Sequence, residues 1–212
     1  MNDARSGYPK PRVEPKLPAD WGEAEHDAMS AMPGARDFVL ANWQKDPRGV
    51  NGLGVMLQHP LATRAFLTFN NHVAVTSTIG KRERELLILR MSWLRGSEYE
   101  FLQHVVLGKR FGLSDADIER LQRGPEAPGW SPLDADLLRA VDELQADARI
   151  GDATWERLSQ HLTLEQRIDL IYTVGCYEIA GMLFKTLGAQ LDAGVEPLPD
   201  EVRRRMHARR TD

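Results

Sequence analysis

Residues 85–104 read ELLILRMSWLRGSEYEFLQH. This is an apolar run of helix length that opens on Glu85, breaks at Gly96 and continues through Glu100 to His104. Burying an unpaired charge is costly, so acids and an imidazole inside such an oily stretch need a reason. Glu85, Leu89, Ser92 and Gly96 follow one another at near-helical spacing and form a narrow, small, partly polar strip within an apolar helix. Strips of this kind line cavities. Beyond Gly96, at ~100° per residue, Ser97, Glu100 and His104 fall within about 60° of one another and share a face. Glu100 and His104, one turn apart, can hydrogen-bond directly. The carboxylate would then hold one imidazole tautomer and raise the ring's basicity, preparing it for proton transfer near neutral pH. On an exposed helix the same spacing describes a solvated pair contributing about 0.3 kcal/mol. The neighbours Phe101, Leu102, Val105 and Val106 weigh against that reading.

Working outward, no segment alternates apolar and polar residues with β-branched enrichment, and helix signals recur. The fold class is all-α, a helical domain of roughly seven or eight helices. Apolar residues at helical spacing mark RDFVLANWQ from Arg36 and a second helix starting at Pro60, where a first turn tolerates proline. Ser114 with Asp117, Thr163 with Gln166, and Ser131 followed by Pro132 are helix-start signatures. Gly112, Gly124, Gly151 and Gly188 sit where helices should stop. Prolines alternating with charge make residues 1–36 an expected extended arm, followed by a helical domain over 37–200 and a basic tail over 201–212.

The 212 residues, 42% hydrophobic, suffice for one folded unit with its own core. A formal charge of −4, spread through the chain, gives no footprint for nucleic acid. The basic cluster Arg203, Arg204, Arg205, Arg209 and Arg210 lacks interleaved aromatics and reads as a solvated helix end or frayed tail. The single cysteine, Cys176, cannot form an intrachain disulfide and fits a reducing cytoplasm as a buried packing residue. The first residues carry no apolar signal core, and no apolar run reaches the ~18 residues of a membrane span. The expectation is a soluble cytoplasmic protein with no membrane partner.

The spacing of Glu85, Ser97, Glu100 and His104 resembles the glutamate, cysteine, cysteine, histidine pattern of the carboxymuconolactone decarboxylase and alkylhydroperoxidase D superfamily, with Ser97 and Glu100 at the two cysteine positions. KRERELLILRMSWLRGSEYEFLQHVVLGKRFGLSDADIERL is similar to the decarboxylase-type branch, and LIYTVGCYEIAGMLFKTLGAQLD resembles its closing helices. Together the likeness spans roughly residues 40–195. It implies an all-α fold, homo-oligomers (trimers or hexamers) and an active-site cavity near subunit contacts. It also implies one of two chemistries. Peroxidase members use a thiolate and a resolving thiol, and Ser97 and Glu100 cannot replace them. Decarboxylase members need no cofactor, because their small lactone substrate holds the electrons left by departing carbon dioxide as an extended enolate.

On that resemblance His104 is the proton donor, Glu100 orients and tunes it, and Glu85 is a second acid/base or relay group. Ser97 could donate a hydrogen bond to the substrate, Tyr99 could line the cavity, and Arg90 or Arg95 could meet a substrate carboxylate, although either equally suits an ion pair. The expected activity is an acid/base lyase on a small cyclic carboxylic acid or lactone. A hydratase, an isomerase or a noncatalytic oligomeric binding module are the alternatives. No metal is expected, since the cluster holds one histidine and lacks metal-ligand spacing. His59, before Pro60, and His72 read as packing or cap residues, and His26, His161 and His207 carry no partner signal. Tyr177 and Glu178 read as the polar edge of a closing helix.

Overall fold

The structure, a computed structural model, describes residues 10–208. Among the described residues there are eleven α-helices and no strand. The all-α class holds, with more helices than the seven or eight expected. The surplus comes partly from the ends. Helix α1 (Glu23–Ser30) lies inside the segment expected to be an extended arm. Its first turn is closed by Glu25, whose carboxylate accepts from the Gly22 N–H at 2.9 Å, and Ala28 and Met29 are fully buried. Helix α2 (Pro33–Asn42) likewise begins before residue 37, with proline in its first turn.

The chain divides into two compact units. The first comprises residues 1–75 and 182–197. It holds α1, α2, α3 (Val50–Met56) and α4 (Pro60–Asn71), packed around Trp21, Met29, Val39, Leu57 and Leu67. Asp192 caps α3 from far along the chain, accepting from the N–H groups of Gly49 and Asn51 at 2.8 Å each. Residues 10–17 are not helical, but they are tied to their own unit. Arg12 N–H donates to the Leu187 carbonyl at 2.9 Å, and Lys16 N–H to that of Gly54 at 3.1 Å. Residues 1–9 lie outside the described residues.

The second unit, residues 76–181 and 198–212, carries α5 (Lys81–Arg95), α6 (Glu98–Arg110), α7 (Asp115–Arg123), α8 (Pro132–Asp147), α9 (Asp152–Ser159) and α11 (Asp200–Ala208). It also holds most of the long α10 (Leu164–Leu187), whose last residues, from Met182, count with the first unit. Its core is built on Leu86, Leu87, Leu89, Trp93, Phe101, Leu137, Leu138 and Leu170. Arg82 grips Asp134 at 2.7 and 3.0 Å, and Arg90 grips Asp142 at 2.7 and 2.8 Å. Both members advance by the same interval, so α5 and α8 run in one direction. Asp169 of α10 fixes the approach to α5, accepting from the Thr78 N–H at 2.6 Å and its hydroxyl at 2.8 Å.

The expected basic tail is in part a packed helix. Glu98 accepts from the Leu198 N–H at 2.9 Å and from Arg203 Nε at 3.0 Å, while Met206 is fully buried. Arg204 and Arg205 are exposed, as a solvated end requires, and Arg209 and Arg210 lie outside the described residues. Ser114, Ser131 and Thr163 close their helix starts as their motifs predict. Gly151 does not stop a helix. It precedes α9 as its N-cap, and α8 ends instead on Ala148 in the left-handed region, φ 53°.

Candidate active site

The site is built from α5, α6 and α10 of the second unit. Gly96 joins α5 to α6, and two further glycines set how closely the helices approach. Gly108 lies one turn beyond His104 on α6. A β-carbon there would stand 3.1 Å from Leu89 Cδ1 and 3.8 Å from Glu85 Cβ. With hydrogen in that place, α6 settles against α5 where Glu85 projects. His104 Nδ1 then meets Glu85 Oε2 at 2.7 Å. Glu85 is 0% exposed and His104 7%.

The other oxygen of Glu85 is held as well. Arg84 directs Nη2 and Nε at Oε1, at 2.9 and 3.2 Å. Burial by itself would push the Glu85 carboxyl up. The charge and hydrogen bond of His104 and the Arg84 guanidinium more than offset it, leaving the carboxyl below its ordinary value of 4.5. An ionised Glu85 can only accept, so Nδ1 of His104 carries the hydrogen and Nε2 is the ring nitrogen not engaged by the carboxylate. The edge-on ring of Tyr177, from α10, closes another side, with centroids 4.7 Å apart.

One turn further along α10, Gly181 does for Glu100 what Gly108 does for Glu85. A β-carbon on Gly181 would lie 2.9 Å from Glu100 Oε2 and 3.3 Å from Ser97 Oγ. Glu100 and His104 on α6 therefore face Gly181 and Tyr177 on α10 in antiparallel order. Glu100 is 1% exposed. Ser97 is the N-cap of α6, yet its hydroxyl makes no cap bond. Its Oγ is buried and, among the described residues, has no hydrogen-bond partner.

These positions revise the reading taken from spacing. The partner of His104 Nδ1 is Glu85, from the neighbouring helix, and not Glu100 from its own. Arg90 is not placed for a substrate. It is buried in its fork to Asp142, and its Nη1 donates to the Leu121 carbonyl at 2.7 Å, with its guanidinium spent on α8 and the end of α7. Arg95 pairs with Glu178 at 2.7 Å. Tyr99 is buried, five residues before His104 and so about 140° around the helix from it. The sequence reading missed Arg84, whose only signal was its place beside Glu85. It treated Tyr177 as a helix edge, although its separation of four residues from Gly181 matches that of His104 from Glu100. Cys176 is buried. Among the described residues no group of three or more His, Cys, Asp or Glu side chains is placed to hold a metal ion.

Residues 60–143 match the carboxymuconolactone decarboxylase family. No curated protein matches the chain. Among solved structures, the debrominase Bmp8 bound to 2,3,4-tribromopyrrole superposes with a TM-score of 0.68 at 12% identity, covering 94% of this chain and 97% of that one. A peroxidase-related protein with an alkylhydroperoxidase AhpD core, from Ralstonia eutropha JMP134, gives 0.67 at 17% identity, covering 93% and 97%. A protein of unknown function from Agrobacterium tumefaciens, associated with AhpD, gives 0.59 at 23% identity, covering 63% and 92%. The family match spans the stretch from α4 into α8, and these solved structures share the chain's fold. Among the described residues, no helix is long and apolar enough to cross a membrane.

Proposed function

We propose that the protein is a cofactor-independent acid/base lyase, a carboxymuconolactone decarboxylase-like enzyme for a small cyclic carboxylic acid or lactone. The observation that carries the proposal is the buried 2.7 Å contact between His104 Nδ1 and Glu85 Oε2. A histidine oriented by a carboxylate away from solvent is suited to move a proton at a carbon beside a carbonyl. In this reading the substrate loses carbon dioxide to leave an extended enolate. His104 takes up a proton at Nε2, with the imidazolium stabilised by Glu85, and passes it to carbon.

Ser97 donates a hydrogen bond to a substrate oxygen, and Glu100, beside it, is the second acid/base. Glu85 thus takes the orienting role that spacing gave to Glu100. Thiol peroxide reduction is disfavoured by chemistry, since serine cannot cycle through sulfenate and disulfide and the chain has one cysteine. We place the enzyme in a reducing cytoplasm as a homo-oligomer.

Purified protein should release carbon dioxide from a member of a panel of cyclic carboxylic acids and lactones. His104→Ala should remain folded and lose at least ~100-fold in kcat, the usual worth of a general acid/base. Full turnover by a folded His104→Ala protein would reject the assignment, as would robust dithiol-dependent peroxide reduction by the wild type.

A further inference from the structure

Arg84 has no role in the reading above beyond its contact with Glu85, yet its placement is unusual. A guanidinium with only 8% of its side chain exposed grips a wholly buried carboxylate on the adjacent residue. It also lies over the Phe111 ring, 5.7 Å from the centroid. We propose that Arg84 is a positioning residue for His104: it fixes Glu85 Oε1 so that Oε2 faces Nδ1 and the ring keeps its hydrogen there.

Two geometric facts carry this. First, the two oxygens of Glu85 are divided between Arg84 and His104, so rotating the carboxylate to improve one contact weakens the other. Second, Arg84 adds a positive charge on the far side of the same carboxylate. That charge helps keep the carboxylate ionised, and so an acceptor for the Nδ1 hydrogen. Tyr177 of α10 lies edge-on to the His104 ring, and Lys81 shares the Phe111 ring with Arg84 at 5.5 Å. Of these two cations, Arg84 is the one in direct contact with Glu85.

The inference rests on the proposed proton-transfer role of His104, but its test needs no substrate and stands apart from whether carbon dioxide is released. Full-length protein labelled with 15N-histidine reports the ring state of His104 through long-range 1H–15N spectra, with His104→Gln used only to assign the signals. Wild type should show hydrogen on Nδ1 in the neutral ring. In Arg84→Gln the neutral ring should shift toward the form with hydrogen on Nε2, since Oε2 is no longer held against Nδ1. Arg84→Lys should restore only part of the Nδ1-protonated form, because it returns the charge without the planar fork. A merely structural role would lower the melting temperature of both variants and leave the ring signals where they were. An unchanged ring tautomer in folded Arg84→Gln would overturn the proposal. Should Arg84→Gln not fold, wild-type signals lacking the Nδ1-protonated ring would do the same.

Discussion

At the scale of the residue, the site turns on one carboxylate. Glu85 is held ionised below its ordinary value of 4.5, and the sign of its effect on folding follows. A group whose folded value is depressed adds stability that is fully present above the unfolded value and is lost as pH falls through the folded one. The wild type should therefore weaken as the solution is acidified below about 4.5, and Glu85→Gln should flatten that part of the profile. Urea midpoints measured across the acid range check this, and parallel profiles for the two proteins would contradict it. That Glu85 and His104 would need buried partners was legible in the sequence, because charges in an oily run demand them. Which charge meets which was not. Glu85 and His104 are 19 residues apart in sequence, and their meeting depends on how two helices cross, whereas spacing along one helix favours the neighbour four residues back. Arg84 was hidden for a similar reason, since adjacent residues on a helix point about 100° apart and only long side chains bring them onto one group.

At the scale of the element, small residues decide the fit. Gly181→Ala places a methyl carbon 2.9 Å from Glu100 Oε2 and 3.3 Å from Ser97 Oγ. The variant should keep its helical circular dichroism, since alanine favours helix over glycine, and should lose turnover as Glu100 and Ser97 are displaced. Unaltered kcat/KM would show that these two groups are not in the reacting space. Breaking the α5 to α8 clamp has the opposite signature. Arg90→Ala strands Asp142 and removes a donor from the Leu121 carbonyl, and should cost about 3 kcal/mol in urea unfolding. Helix starts were legible because each is written in residues three apart, as in Ser114 with Asp117. Stops were less so: Gly151 serves the helix that follows it, and Ala148 takes the left-handed turn that a glycine was expected to supply.

At the scale of the whole molecule, helix α11 is structural. Met206 is fully buried, and Arg203 clasps Glu98 in the first turn of the helix that carries His104. Met206→Ala should destabilise the protein by about 2–5 kcal/mol, read from thermal or urea unfolding. A change within experimental error would mean that α11 is dispensable. The basic composition of this segment concealed its one anchoring apolar residue, as the prolines before α1 concealed Ala28 and Met29. The division into units has a further consequence for biosynthesis. Because residues 182–197 complete the first unit and 198–212 complete the second, a nascent chain arrested at position 181 possesses neither in full. Domains ordinarily fold in turn from the amino end during translation. Here both parts await residues beyond 181, so neither can finish ahead of the other's closing segment by more than a few residues of synthesis.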